Sequence, residues 1–227
     1  MIEIFIWFLG TLLLATGAAF LAKHYGVEYL IATFTTAVVV ANVVASKIVT
    51  IGPLAVSAGV VAYSITFLLT DTISEFWGKK EAQKAIWAGF LGLVMMVLVT
   101  QLSLRLTPSD YWLGQEAFAA VFGNTLRIAL ASFIAYVIAQ HHDVWAYHFW
   151  MGKTGRKHLW IRNNASTWIS QVIDTIIFTT IAFYGVFPIG PIIAGEIILK
   201  IIIAAFDTPF FYLIRWYYEK RSPRWSF

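Results

Sequence analysis

The chain has 227 residues, of which 59% are hydrophobic and only 12% are charged, and its mean hydropathy is +0.74. Soluble domains usually carry about a quarter charged residues, so this composition excludes an ordinary soluble protein and indicates a chain surrounded mainly by lipid. The absence of cysteine excludes disulfides, thiolate metal sites and a thiol nucleophile. The net charge of +4 lies mostly in the turns between apolar segments, which favours a membrane surface over nucleic acid as its partner.

Seven apolar segments are long enough to cross a bilayer as helices, which requires about 20 residues each. They cover residues 2–22, 29–48, 54–76, 85–106, 117–140, 165–187 and 192–216. Strands are not expected, because the apolar runs are continuous and lack the alternation of a membrane barrel. The first segment has no basic region or cleavage site of a signal peptide. The sequence therefore predicts an all-α integral membrane protein with about seven transmembrane helices.

Lysine and arginine concentrate on one side of the predicted membrane. The basic side would hold Lys23, Lys79, Lys80, Lys84, Lys153, Arg156, Lys157, Arg162, Arg215, Lys220, Arg221 and Arg224. The other side would hold only Lys47 and Arg105. The positive-inside rule then predicts a multi-pass protein of the cell's inner, cytoplasmic membrane, with the N-terminus outside and the C-terminus in the cytoplasm.

The longest polar connection is residues 141–164, HHDVWAYHFWMGKTGRKHLWIRNN. Its mixture of tryptophan, tyrosine and basic residues predicts a segment at the interface with anionic headgroups. His141, His142 and Asp143 are adjacent in the chain and do not share one helical face, so no metal site is expected here. RNA binding by the basic cluster from Lys153 to Arg162 is not expected either. Asn163 and Asn164 are predicted to cap the helix that follows.

The spans suggest two halves. We expect an extra N-terminal helix over residues 1–24 and a six-helix core over residues 25–227, with halves 25–110 and 111–227. Each half has three spans, so the second half would run inverted relative to the first. The middle span of each half contains the tripeptide Asp-Thr-Ile, at residues 71–73 and 174–176. Inverted repeats with matching polar positions are typical of secondary transporters.

Ionisable residues inside spans are costly and usually mark function. Asp71 and Asp174 fall within spans, and Glu75 lies close to a turn, where it could instead be the partner of Lys79. Arg127 cannot lose its charge, so an ion pair with Asp174 or Asp71 is expected, either as a structural lock or as part of a cavity. Burial favours the uncharged form of a carboxylic acid, so Asp71 and Asp174 are also the candidates for proton coupling.

Other polar residues in the spans favour a structural or a binding role. Glu196 and Lys200 are four residues apart and are predicted to neutralise each other. Asn42 accompanies the small-residue series Ala37, Ala41 and Ala45, whose spacing suits close helix packing.

Several of these polar groups share one predicted face with nearby aromatic rings. The polar members are Asn42, Asp71, Arg127, Gln171 and Asp174, and the rings are Phe67, Trp77, Trp168 and Phe178. Such a face would suit a flat heterocycle held between rings, with a carboxylate accepting two N–H bonds from a guanine-like edge. A small planar heterocycle is therefore the predicted partner besides the bilayer, and no cofactor is expected.

Three sequence runs resemble the queuosine-precursor transporters of the vitamin-uptake-transporter group. They are TFLLTDTISEFWGKKEA, RIALASFIAY and WIRNNASTWISQVIDTIIF, and the resemblance extends over roughly residues 29–215. It implies a six-helix inner-membrane importer of 7-deazaguanine bases, such as the 7-cyano and 7-aminomethyl forms, with queuine left open. The site residues that it implies are Asn42, Asp71, Glu75, Arg127, Ser170, Gln171 and Asp174, to which Phe67 and Trp168 are added as ring partners. The extra N-terminal helix departs from the family's plan.

Two transport mechanisms remain open at this point. One is a secondary transporter whose halves rock about a central site, and the other is the binding subunit of an ATP-driven importer that docks through the Ala37, Ala41 and Ala45 face. The chain has no phosphate-binding Gly-x-x-x-x-Gly-Lys loop, so ATP use would require partner proteins. Hydrolase and metalloprotease motifs are also missing from the sequence, so no enzymatic activity is expected. A homodimer is left open.

Overall fold

The computed structural model describes residues 2–123, 125–154 and 158–220, which form eight helices and one β-hairpin. In chain order they are α1 (Ile2–Tyr25), α2 (Glu28–Val44), β1 (Ile48–Ile51), β2 (Leu54–Ser57), α3 (Val60–Phe76), α4 (Lys79–Arg105), α5 (Gln115–Phe122), α6 (Thr125–Thr154), α7 (Leu159–Phe183) and α8 (Ile189–Lys220). The basic residues Arg156, Lys157, Arg221 and Arg224, used above to predict orientation, lie outside the described residues.

A helix is present at each of the seven predicted spans. Among the described residues, five stretches are long and apolar enough to cross a membrane: α1, α4, the 115–154 stretch, α7 and α8. The helices α2 and α3 have 17 residues each, at the short end of what a bilayer core requires. The prediction of an all-α membrane protein is confirmed.

The predicted interfacial connection at residues 141–164 is wrong. Helix α6 continues to Thr154, and α7 begins at Leu159. No proline interrupts this stretch, and its most polar side chain, Asp143, is fully buried inside the bundle. Composition alone suggested a surface segment because it could not show that the polar residues point inward.

A short hairpin replaces the first turn of the predicted third span, and here the expectation of no strands is wrong. β1 and β2 pair antiparallel, with Ile48 opposite Ser57 and Ile51 opposite Leu54. The two-residue turn is Gly52-Pro53, and Gly52 has φ +59°, which suits the first central position of a type II′ turn. The continuous apolar sequence from Leu54 onward concealed this strand, since a buried strand and a buried helix look alike in a short apolar run.

The hairpin packs directly on α8. A Cβ at Gly195 would lie 2.6 Å from the main-chain oxygen of Ala55, so only glycine permits this close approach. Ser57 N–H also donates to the Oε1 atom of Glu196, at 3.3 Å. The end of β2 at Val56 and Ser57 is buried, whereas the turn at Gly52 and Pro53 is exposed.

We expect Gly195→Ala to destabilise the protein by about 1–3 kcal/mol, because the added methyl group meets main chain that cannot rotate away. Gly190→Ala is the matched control in the same helix, since a Cβ there meets nothing within 4 Å. Thermal unfolding of the purified protein in detergent would compare the two. Equal unfolding temperatures for both variants would contradict the close hairpin contact.

The ends of several helices meet at one end of the bundle, here called the basic end. The ammonium of Lys23, in the last turn of α1, donates to the carbonyls of Tyr217 and Tyr218 in α8, at 2.6 and 3.1 Å. Phe76, at the end of α3, stacks on Tyr218 with ring centroids 4.1 Å apart. The hairpin lies toward the opposite end, because the start of α3 follows it directly.

Small residues bring α2 close to the start of α3. Ala37, Ala41 and Ala45 are all buried, and a Cβ at Gly59 would collide with the main-chain oxygen of Ala41. The predicted packing role of this series is confirmed. Its burial within the chain also means that it does not offer an open docking face for a partner protein.

Candidate functional site

A buried ionic cluster joins α7 and α8. The Nζ atom of Lys200 lies 2.9 Å from Oδ2 of Asp174 and 3.6 Å from Oε2 of Glu196. Lys200 also donates to the hydroxyl of Thr175, at 2.9 Å. The predicted pairing of Glu196 with Lys200 is therefore confirmed, but Asp174 is the closer partner. Two carboxylates share one ammonium, so the ionised cluster carries an excess negative charge.

The cluster borders a half-open pocket between the helices. Its wall contains polar and aromatic side chains from α2, β2, α3, α6, α7 and α8, chiefly Asn42, Ser57, Tyr63, Ser132, Tyr136, Asp174, Phe178, Glu196 and Lys200. Both predicted halves of the chain contribute to this wall. We call this space the substrate cavity, after the role that is proposed for it below.

The polar wall of the substrate cavity is held in place by hydrogen bonds. Tyr63 donates its hydroxyl to Oδ1 of Asp174, at 2.8 Å. Ser132 donates to Oδ1 of Asn42, at 2.5 Å, and the Asn42 amide donates in turn to the Val38 carbonyl, at 2.9 Å. Tyr136 donates to the carbonyl of Ile86. Among the described residues, Asp174 accepts two bonds, whereas Glu196 accepts one long bond from Ser57 and lies 3.6 Å from Lys200, so Glu196 retains more acceptor capacity.

A second polar group of residues lies nearer the basic end. Arg162, at the start of α7, donates from Nη2 to Oε1 of Glu75, at 2.5 Å, and from Nε to the hydroxyl of Tyr147, at 3.2 Å. Tyr147 donates to the other carboxylate oxygen of Glu75, at 2.8 Å. Both charged side chains are fully buried. Breaking a buried pair of this kind is strongly destabilising, so these contacts tie α3, α6 and α7 together.

Three further carboxylates surround this ion pair: Asp71 on α3, Asp143 on α6 and Asp207 on α8. Asp207 accepts a bond from the Asn163 amide, at 3.2 Å. Within the described part of the chain, neither oxygen of Asp71 or of Asp143 has a hydrogen-bond donor. We call Asp71, Glu75, Asp143, Arg162 and Asp207 the acidic cluster.

Hydrogen-bonded polar side chains of α3 and α6 lie between the substrate cavity and the acidic cluster. Gln140 donates to the hydroxyl of Thr66, at 2.9 Å, and its amide oxygen lies 3.4 Å from the hydroxyl of Thr70. Thr66 donates to the carbonyl of Tyr63 in the cavity wall, at 2.6 Å, and Thr70 precedes Asp71 in the chain. These buried polar side chains therefore occupy the part of the bundle interior between the two groups.

The family model described as "Putative vitamin uptake transporter" matches residues 57–214 of the chain. The chain is also 33% identical over 194 residues to the "Probable queuosine precursor transporter" of Bacillus subtilis (strain 168), an alignment that covers 84% of this chain and 85% of that relative. The chain belongs to the vitamin uptake transporter family.

Two shorter alignments agree with this assignment. The transporter is 30% identical over 126 residues to the "Queuosine precursor transporter" of Escherichia coli (strain K12), covering 56% of this chain and 54% of the relative. It is 29% identical over 126 residues to a "Probable queuosine precursor transporter" of Haemophilus influenzae, covering 56% of this chain and 51% of the relative. No solved structure matches the chain. The family resemblance and the non-enzymatic class predicted from the sequence are confirmed.

The predicted site residues of the transporter separate into four places. Asn42 and Asp174 line the substrate cavity. Asp71 and Glu75 belong to the acidic cluster, and the buried Ser170 and Gln171 lie beside it on α7. Phe67 is buried on α3 between the two groups. Arg127 and Trp168 are exposed, and neither lines the cavity.

The ion pair predicted for Arg127 is wrong. Arg127 lies in the first turn of α6 and donates to the carbonyls of Ile181 and Tyr184, at 2.7 and 2.6 Å. A cation near the last carbonyls of a helix is favourable because of the helix dipole, so this side chain stabilises the end of α7. Asp174 takes its cation from Lys200 instead.

Two smaller expectations are also corrected. Glu75 pairs with Arg162 and not with Lys79. Asn163 and Asn164 lie one turn inside α7, where both amides reach Thr208 of α8, at 3.4 and 2.9 Å. They join two helices and do not cap one.

Sequence reasoning missed Asp143 and Arg162, because both were assigned to the surface connection. It recognised Glu196 and Lys200 but predicted only a structural pair. A helical periodicity search through residues 141–154 could have indicated that Asp143 faces inward with Gln140 and Tyr147, which follow the i, i+3, i+4 pattern of one helix face. Nothing in the sequence indicated that Arg162 meets Glu75, 87 residues away.

Proposed function

We propose that this transporter imports queuosine precursors, which are 7-deazaguanine bases such as the 7-cyano and 7-aminomethyl forms, across the cytoplasmic membrane. The names of the relatives support this substrate class. The observation that carries the proposal is the substrate cavity itself, where the buried side chains of Asp174, Glu196 and Lys200 line a half-open pocket inside the bundle.

The chemistry of the cavity wall suits a guanine-like edge. Such an edge presents two adjacent N–H donors, and a carboxylate can accept both in parallel. Glu196 is the best acceptor for this purpose, because both oxygens of Asp174 already accept bonds from Tyr63 and Lys200. The ammonium of Lys200 and the amide of Asn42 would donate to acceptor atoms of the base. The rings of Tyr63 and Phe178 would stack on its faces. Base stacking on an aromatic side chain contributes about 1–3 kcal/mol.

Alternating access would use the two three-helix halves, α2–α4 and α6–α8. The cavity wall draws Asn42 and Tyr63 from the first half and Ser132, Asp174 and Lys200 from the second. A relative rotation of the halves would therefore open the site to one side at a time, as in other transporters with repeated halves. The N-terminus would lie outside and the basic end in the cytoplasm. Import would be coupled to protons.

Uptake by the purified protein in proteoliposomes tests this function. Labelled 7-cyano-7-deazaguanine is added outside the vesicles, with no other protein present. We expect saturable uptake that excess unlabelled base suppresses. Uptake without partner proteins would exclude the ATP-driven subunit. Binding without uptake under every gradient would instead favour that subunit, and the absence of both binding and uptake would refute the proposed substrate class.

A further inference from the structure

Asp71 and Asp143 form an unusual pair of carboxylates in the middle of the acidic cluster. Both side chains are fully buried, one on α3 and one on α6. The two carboxyl groups approach within hydrogen-bonding range of each other, although no donor reaches either of them in the described part of the chain. Two ionised carboxylates at this separation repel strongly, and only a proton between them turns the contact into a bond.

Three hydroxyls lie near Asp143, those of Ser166, Thr167 and Ser170, and two of them donate elsewhere. Ser166 donates to the carbonyl of Asn163, at 3.1 Å, and Ser170 donates to the carbonyl of Ser166, at 2.8 Å. The hydroxyl of Ser170 also lies 2.8 Å from Nδ1 of His142. Thr167 is then the one hydroxyl of the three that is left for Asp143, so the ionised pair has few of the hydrogen bonds that usually stabilise buried carboxylates.

The surrounding charges make full ionisation of the pair still less favourable. The titratable and charged groups around it come from every adjacent helix: Glu75 on α3, Tyr147 and the half-buried His142 on α6, Arg162 on α7 and Asp207 on α8. Arg162 is the cation of this group, and its nearest carboxylate is Glu75, at 2.5 Å. Asp71, Asp143 and Asp207 then add negative charge that one guanidinium does not balance.

A metal ion does not account for the pair. Within residues 2–123, 125–154 and 158–220, no group of three or more His, Cys, Asp or Glu side chains is arranged to hold one. Two carboxylates in contact are sufficient for a proton, which needs only one oxygen on each side.

We propose that Asp71 and Asp143 share one buried proton, and that this pair is the proton-coupling site of the transporter. This inference rests on the proposed transport function and assigns the coupling to the acidic cluster and not to the substrate cavity. A proton from the outside forms an O–H bond at one carboxylate and a hydrogen bond to the other, so the pair changes from two negative charges to one. Release of that proton to the cytoplasm breaks the O–H bond and restores the two charges.

Contacts between α3 and α6 could transmit the protonation state of the pair to the substrate cavity. Gln140 lies three residues before Asp143 on α6, and it bonds Thr66 and contacts Thr70 on α3. Repulsion in the unprotonated pair would push α3 and α6 apart at the point where Gln140 joins them. Since Tyr63 and Ser132 belong to the same two helices and line the cavity, protonation would bias the two halves toward one arrangement.

Asp143→Asn and Asp71→Asn test the pair in proteoliposomes. With one proton per neutral base and an inward gradient of about one pH unit, the wild type should accumulate 7-cyano-7-deazaguanine about tenfold. In each variant the amide donates permanently to the remaining carboxylate, so binding should stay within about twofold of wild type while gradient-driven accumulation is lost. Asp110→Asn, in an exposed loop, is the control and should behave as wild type.

A measurement without transport separates this proposal from the substrate assignment. The folded wild type holds one proton that the unfolded chain releases above about pH 6, so its unfolding temperature should fall as the pH rises to about 9. The fall should be smaller in Asp143→Asn. Equal slopes of unfolding temperature against pH in the wild type and the variant would overturn the shared proton. Full accumulation by both variants, or uptake that depends on sodium at constant pH, would overturn its role in coupling. Wild-type uptake without any response to the gradient would overturn the coupling while leaving the substrate class intact.

Discussion

Glu196→Gln should weaken the binding of 7-cyano-7-deazaguanine about 100-fold, which corresponds to about 2.7 kcal/mol. The glutamine amide would present a donor to the donor edge of the base and would remove the charge that strengthens both bonds. Titration calorimetry or a thermal-shift titration of the purified protein would measure the affinity.

The fold of this variant should be preserved. Lys200 keeps its closer partner Asp174, at 2.9 Å, and the glutamine oxygen can still accept the N–H bond from Ser57. Glu219→Gln is the matched control, because Glu219 pairs with Arg215 on the exposed end of the same helix. An affinity unchanged from wild type would refute the assignment of Glu196 to the base edge.

The same titration distinguishes the carboxylates of the two buried groups. Asp174→Asn should reduce stability more than Glu196→Gln does, since it weakens bonds with both Tyr63 and Lys200. Asp71→Asn should leave affinity nearly unchanged, because Asp71 does not line the substrate cavity. The sequence alone favoured Asp71 and Asp174 equally as acceptors for the base.

Arg162→Met should destabilise the transporter by about 3–5 kcal/mol, because the loss of one partner leaves an uncompensated charge in the bundle interior. Glu75 would lose its guanidinium while Asp71, Asp143 and Asp207 remain close by. For a chain of this length, the unfolding temperature should fall by about 10 °C. Thermal unfolding in detergent at neutral pH would measure the change.

Two further variants make this prediction specific. Arg215→Met removes a more exposed arginine with a carboxylate partner at 2.7 Å, and it should cost no more than about 1 kcal/mol. Arg162→Met combined with Glu75→Gln should recover part of the loss, because the remaining carboxylate charge is removed and Tyr147 keeps an acceptor. A double variant no more stable than Arg162→Met would show that the ion pair is not the source of the stability.

Most of the helical architecture could be predicted from the sequence, because membrane helices require long apolar runs that are visible in composition. Asp174 was correctly expected to face an interior cavity, since a charge inside a span is tolerated only where the bundle or water receives it. The pairing of Glu196 with Lys200 followed from their spacing of one helical turn. In each case the relevant signal was local.

The predictions that failed required contacts between distant parts of the chain. Arg127 was expected to meet a carboxylate, but the end of α7 provides carbonyl acceptors where its guanidinium lies. Arg162 was placed in a surface segment, although Glu75 on another helix receives it. The hairpin at residues 48–57 was missed because its apolar side chains resemble those of a span, and its burial depends on α8.

By itself, the sequence determined that the chain enters a membrane as a bundle of helices and that several charges must be accommodated inside it, since hydrophobic length and charge scarcity follow from composition. Only the tertiary structure decided which charges meet. It gives a cavity at Asp174, Glu196 and Lys200, and it brings the carboxyl groups of Asp71 and Asp143 together. The reason is that a buried charge is compensated by whichever group packing brings within a few ångströms, and those groups lie on different helices far apart in the chain.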